Sequence, residues 1–534
     1  MTLPPAARKS LLTLAALAVW GFVFWRATLA FTPGNDDNDV SFNSDSAIGV
    51  LMANDDRPIT VFNAYYYCAD RWGGWPFLIA QGIRRATGFT WTDHRVFVMQ
   101  ALWVLLGAWA CAALCRRDWA IAGLAYLLAA CVLPGGRFLL FELSQIYGWQ
   151  VTGMLFAWLG IRRVFDSLTQ SPGTAGAAAR WFLFALAFTF LAVWSSVASL
   201  PMLIALWAIE AVRAWAGRAP SRALAIGSAL GLTAVAGGAF LERLLKAQYH
   251  RWSLEHYGSD YSTTFHIDHG HLLNSLGIQA MHLVRQPLAP LYALPIVALI
   301  VVFVLFVYSL ATRKRELRLA VTRVLADNTA TTIVGCVALS ALTFTLAVLV
   351  DHVRLNNYDT RYLTVAHLFL PIGGMLTCYL LARMAARTAS RQAFAQPVAA
   401  AAAIVLLIAM IPSPRPSRLY RLQAFTAQEL AAKMPRGVLL GGYWETYIFA
   451  ALQPPERAII PVTLEGSRTP WTAAAVKPAR EVIVVYPKNA RGTSVDMPET
   501  IPFYDVTLRL EDPHWFENRG YQFGRYINTT WTPR

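Results

Sequence analysis

Apolar runs of about twenty residues recur along this chain from its N-terminus to about residue 412, and they limit the fold more than any other feature. A run of that length crosses a hydrocarbon core about 30 Å thick as one helix. Inside such a core every backbone amide and carbonyl must be bonded within its own segment, which leaves helices or closed barrels. The runs are rich in Leu, Ala and Val and lack the alternating polar residues of a barrel strand. Charged residues are 14% of the 534, where a soluble chain of this size carries about a quarter. The expected fold is therefore an α-helical polytopic membrane protein.

We place about eleven spans, at roughly 11–25, 96–114, 119–133, 147–161, two within 181–216, then 223–241, 291–310, 331–350, 362–381 and 397–411. Bulky Trp20, Phe22, Phe24 and Trp25 followed by Arg26 make a poor cleavage region, so the first run is expected to stay as a helix and not to act as a signal peptide. The stretch 181–216 is long enough for one helix or a hairpin. Arg162, Arg163 and Arg180 precede it and Arg213, Arg218 and Arg222 follow it, so both ends should be cytoplasmic and a hairpin is required. With a hairpin there, the strongest basic cluster (Arg313, Lys314, Arg315, Arg318, Arg323) also falls inside. The net charge of +15 is thus the signature of cytoplasmic loops and not of a nucleic-acid partner. This topology puts the N-terminus in the cytoplasm and segments 32–93, 135–146, 244–290, 351–361 and 413–534 outside. For a bacterial chain, the membrane would be the inner one and the outer side the periplasm.

Residues 1–412 read as the membrane module and 413–534 as an extracytoplasmic α/β domain. In the latter, apolar runs shorten to strand length at 438–441, 458–462, 481–486 and 505–510, with helical pieces at 426–433 and 446–452 and Pro and Gly between. The six cysteines suggest neither a disulfide framework nor a CxxC metal site, since only Cys68 falls clear of the spans.

The first outer loop carries Asp36, Asp37, Asp39, Asp45, Asp55, Asp56 and Asp70, with apolar helix-like pieces at 47–53 and 76–83 suited to lying along the membrane surface. A carboxylate held where membrane meets water can take the proton of an acceptor hydroxyl, which is general-base work. Two carboxylates close together would instead hold a divalent cation, Mg or Mn, on a phosphate donor, and Asp37 and Asp39 are the candidates for that. The plainer readings are a solvated acidic loop for Asp36–Asp39 and a helix N-cap for Asp45. Elsewhere, His266, Asp268, His269 and His271 crowd one loop without a tetrahedral zinc spacing. Tyr443, Trp444 and Tyr447 would contact a sugar acceptor or dock the C-terminal domain.

The order of these parts resembles the GT-C superfamily of membrane glycosyltransferases, and most nearly the protein-mannosyltransferase and aminoarabinose-transferase type. In that family an Asp-Glu pair after the first span opens a surface helix. Here Asp45-Ser46-Ala47-Ile48 stands in that place, with Ser46 in the Glu position. Asp70-Arg71-Trp72-Gly73-Gly74-Trp75-Pro76-Phe77-Leu78 is similar to the family's aromatic and charged stretch before Pro-Pro-Leu, with one Pro. Asp359-Thr360-Arg361-Tyr362-Leu363 is similar to the Arg-Tyr-Leu that enters a late span. The helix, strand and aromatic motif after the last span (Glu429-Leu430-Ala431, Val438-Leu439-Leu440, Gly442-Tyr443-Trp444-Glu445-Thr446-Tyr447) match the family's order.

The resemblance implies transfer of a sugar from a polyprenyl-phosphate donor to a glycan, lipid or protein acceptor, by an inverting mechanism. Asp45 would be the catalytic base, with Asp70 next. Arg361 would bind the leaving phosphate, since its forked guanidinium matches phosphate oxygens, with Arg354 and His352 as weaker candidates. Apart from the resemblance, His266 and His269 are candidate substrate contacts, with a solvated loop as the plainer reading. Two other classes stay open: an O-antigen ligase or polymerase, whose large outer loop comes late, and a transporter or flippase of lipid-linked glycans. A transporter would place ionisable groups at mid-membrane, where these spans carry nearly none, Glu210 coming nearest. A non-catalytic scaffold would tolerate Asn at Asp45.

Overall fold

The computed structural model describes residues 5–35, 43–56, 65–66, 69–131, 140–141, 146–170, 175–257, 267, 269–286, 289–386, 416–453, 458–464, 474–489 and 492–532. Its helices in chain order are α1 (Pro5–Phe31), α2 (Ser44–Ala53), α3 (Trp75–Thr87), α4 (Asp93–Cys115), α5 (Trp119–Cys131), α6 (Tyr147–Gln170), α7 (Ala175–Ser195), α8 (Ser199–Ala216) and α9 (Ser221–Tyr257). They continue with α10 (Leu272–Val284), α11 (Ala289–Ala311), α12 (Arg315–Ala326), α13 (Asn328–Leu349), α14 (Asp351–Leu355) and α15 (Thr364–Ala386). A short antiparallel ribbon of β1 (Tyr65–Tyr66) and β2 (Ala69–Gly73) lies between α2 and α3.

Eight stretches among the described residues are long and apolar enough to cross a membrane: Thr13–Phe31, Asp93–Cys131, Gly176–Ser195, Ser199–Ala216, Ser221–Trp252, Ala289–Ala311, Asn328–Leu349 and Thr360–Met384. The chain is a multi-pass membrane protein. The stretch 93–131 holds two helices, α4 and α5, joined by a 3-10 turn at Arg116–Asp118. The expected count of about eleven is not reproduced. The eleventh span, 397–411, lies outside the described residues, and α6 is not among the eight although it packs on α4, α7, α8 and α9. The stretch 181–216 is two helices, as the basic flanks require, broken at Ser196–Ala198. α1 is seated in the bundle, where the Trp20 indole donates to the Ala120 carbonyl at 3.1 Å and packs edge-on against Trp119.

Two expected boundaries are corrected. The hydropathy pattern predicts a fourth span over 147–161, but α6 runs on to Gln170 and buries Arg162 completely. Its guanidinium lies 2.6 Å from Glu210 on α8, which also accepts from the Trp158 indole and from Arg213, each at 2.6 Å. A buried guanidinium is tolerable only against such a partner, and a hydropathy reading cannot distinguish it from a loop arginine. The pattern likewise predicts a seventh span over 223–241, but α9 continues to Tyr257 and carries Glu242 past that point.

The C-terminal domain contains α16 (Arg418–Lys433), β3 (Arg436–Gly441), α17 (Tyr443–Ala451), β4 (Ala458–Thr463), β5 (Glu481–Pro487), β6 (Thr500–Phe503), β7 (Val506–Glu517) and β8 (Tyr521–Asn528). The sheet order is β4-β3-β5-β8-β7-β6, with β4, β3 and β5 parallel and the remaining pairs antiparallel. Successive side chains on a strand face opposite ways. Leu439, Ile483 and Val485 accordingly meet Leu430 of α16 and Phe449 of α17 on one face, while Val438, Leu440, Val482 and Val484 meet Val462, Ile501 and Tyr526 on the other.

Candidate active site at the junction of α2 and α17

α2 begins where its sequence supplies a cap. The Asn43 side chain accepts from the Ser46 amide at 3.0 Å, filling the place of an N-cap. Asp45 is therefore not the cap, as the plainer reading had it, but a first-turn residue whose side chain is left for other work. Beneath it Ala47, Ile48, Val50, Met52 and Ala53 are buried. The far end of α2 is clamped: Gln81 donates to the Met52 carbonyl at 2.7 Å, and Asn54 bonds the Trp91 backbone in both directions, at 2.6 and 2.9 Å. Arg84 reaches Asn54 at 3.0 Å and Asp56 at 2.8 Å, so Asp56 is a structural partner. These bonds fix Asp45 on a rigid element, as a positioned base needs.

The Tyr443 hydroxyl donates to the Asp45 carboxylate. Tyr443 opens α17, whose residues Tyr443, Tyr447, Ile448 and Ala451 join the apolar core of the membrane module, while Phe449 faces the sheet of the C-terminal domain. The Tyr443 ring is 6% exposed and boxed by Trp444, at 5.2 Å, and Tyr447, at 5.3 Å. Trp444 itself is 58% exposed, so it offers an aromatic face beside the half-buried Asp45. The structure thus brings together four of the residues singled out from sequence, Asp45, Tyr443, Trp444 and Tyr447, on two elements far apart in the chain.

The second group is local. Arg354 pairs with Asp351 on α14 at 2.6 Å. Arg361 sits in the 3-10 turn Thr360–Leu363, where its guanidinium donates to Asn356 at 2.9 Å and to the Tyr362 hydroxyl at 3.2 Å. The His352 ring stands edge-on to Tyr362 at 5.8 Å. Asp70 lies on β2. His269 is exposed, while His266, Asp37 and Asp39 lie outside the described residues. Among the described residues no three His, Cys, Asp or Glu side chains gather as metal ligands would.

Two groupings escaped the sequence reading. Tyr420 on α16 donates to Asp93 at the start of α4, and Asp93 also pairs with the His94 Nδ1 at 3.0 Å. This is a second Tyr-to-Asp bond between the C-terminal domain and the membrane module, beside a hydrogen bond donated by the Ser417 backbone amide to the Gly34 carbonyl at 2.8 Å. The Thr92-Asp93-His94 cap was the only local signal for it. Glu242, 8% exposed on the extension of α9, accepts from Tyr65 of the β1–β2 ribbon at 3.1 Å. It escaped because the apolar run appeared to end one residue earlier.

Comparison with known proteins finds no matching family model and no matching curated protein. Among solved structures, the chain is similar to the archaeal oligosaccharyltransferase AglB from Archaeoglobus fulgidus in complex with an inhibitory peptide and a dolichol-phosphate, at 12% identity over 88% of this chain and 69% of that one, TM-score 0.44. It is similar to ArnT from Cupriavidus metallidurans bound to undecaprenyl phosphate, at 13% identity over 99% of this chain and 100% of that one, TM-score 0.40. Both are GT-C superfamily membrane glycosyltransferases.

Proposed function

We propose that the chain is an integral membrane glycosyltransferase that moves a sugar from a polyprenyl-phosphate donor to an acceptor hydroxyl on the periplasmic face of a bacterial inner membrane. The observation that carries this reading is a hydroxyl already seated on Asp45, that of Tyr443. A carboxylate on a fixed helix that receives one hydroxyl can receive another, and general-base removal of its proton would ready the acceptor for attack on the anomeric carbon. The departing polyprenyl phosphate needs positive charge. Arg361 supplies it, with Arg354 and His352 alongside, since a guanidinium binds phosphate oxygens through two parallel donors. Trp444 offers a face for the acceptor. The order of motifs from Asp45 to Arg361 to the α17 aromatics supports the same reading.

The deciding experiment compares purified wild type with Asp45→Asn in detergent, supplied with polyprenyl-phosphate sugars. We expect transfer to fall by about 10²–10⁴-fold in a variant that elutes and melts like wild type. Equal transfer by both proteins would move the base elsewhere, with Asp70 next. A wild type that transfers from no such donor would favour a ligase, polymerase or flippase.

A further inference from the structure

We propose that Tyr443 decides between acceptor and water: its hydroxyl covers the Asp45 carboxylate until an acceptor hydroxyl displaces it. This rests on the glycosyltransferase reading above and goes beyond it in assigning the C-terminal domain a part in selectivity.

The cover is built. Tyr443 donates to Asp45, its ring is almost wholly enclosed, and it is held by Trp444 and Tyr447 on a helix whose buried face belongs to the membrane module's own core. Tyr443 is the donor in this bond, so the hydroxyl occupies Asp45 Oδ1 without activating anything. With Asp45 uncovered, water would serve as well as an acceptor. Its oxygen would bond to the anomeric carbon, its proton would pass to Asp45, and the bond from that carbon to the phosphate oxygen would break, releasing free sugar and polyprenyl phosphate. A small, abundant nucleophile is excluded by a donor that only a well-bound hydroxyl can displace. Tyr420 on Asp93 holds the same domain at a second point, so the cover does not depend on one bond.

The test measures two products from Tyr443→Phe and wild type: sugar released to water without acceptor, and sugar transferred with acceptor present. The Phe ring keeps the packing, and Tyr443→Leu serves as a second variant without the hydroxyl. We expect the ratio of release to transfer to rise about tenfold in both variants, the worth of one such hydrogen bond. Release and transfer falling together, or an unchanged ratio, would overturn the inference while leaving an active wild type and the glycosyltransferase reading intact. A wild type that neither releases nor transfers sugar would remove both.

Discussion

Arg162 and Glu210 face each other across α6 and α8 with both side chains fully buried and 2.6 Å between guanidinium and carboxylate. Arg213 shares Glu210 and reaches Asp166 at 2.8 Å, and Arg116 reaches Asp166 at 2.5 Å, so the ends of α4, α6 and α8 are tied by one chain of charges. Removing one member strands the other in an apolar setting. Glu210→Gln should therefore destabilise the folded protein by about 3–5 kcal/mol, whereas the apolar pair Arg162→Met with Glu210→Leu should lose less than either single change. Thermal unfolding in detergent checks this. A double variant weaker than the sum of the singles would show that the pair is not the unit that matters.

How legible this was differed by element. The spans were readable because membrane insertion is decided by local apolar length, and the 181–216 hairpin because charge on both flanks fixes parity. Strands β3, β4 and β5 were readable from short apolar runs. Strands β6 and β8 were not, since Thr500–Phe503 and Tyr521–Asn528 mix polar and aromatic residues and take their burial from partners distant in sequence. Asp45 could be singled out from its place before an apolar helix, and the Tyr443 motif from its aromatic density. Their meeting could not be read, because 398 residues separate them and tertiary docking alone joins them.

Arg361 is exposed enough to be reached by a ligand, at 29% of its side chain, yet is oriented by Asn356 and Tyr362. If its fork holds the leaving phosphate, charge alone will not replace it. Arg361→Lys should lower kcat/KM for the donor by about tenfold and Arg361→Ala by about 10²–10³-fold. A lysine variant indistinguishable from wild type in steady-state transfer would reduce Arg361 to a helix-end anchor.

Glu445 stands in the first turn of α17, two residues from Tyr443, and burial raises its carboxyl above the ordinary 4.5. The folded state then holds a proton that the unfolded state has released, so stability falls as pH rises from 4.5 through the raised value, and the loss is complete above it. Glu445→Gln removes this titration. Unfolding measured across this range should show a shallower decline for the Gln variant; a decline of the same slope would mean that Glu445 has no part in it.

α11 and α15 meet backbone to backbone. A Cβ built at Gly374 would lie 2.2 Å from the Leu291 carbonyl oxygen and 3.1 Å from its Cα, so no rotamer change can relieve it. Small residues let membrane helices approach this closely, and much of their association comes from the packing so gained. Gly374→Ala must push the helices apart, at a cost of about 1–3 kcal/mol. Gly82 on α3 is the control: a Cβ there meets nothing within 4 Å. Gly82→Ala should be neutral or stabilising by up to about 1 kcal/mol through helix propensity alone. Melting both variants in the same detergent separates the two effects. A Gly374→Ala protein as stable as Gly82→Ala would mean that α11 and α15 do not pack at this distance.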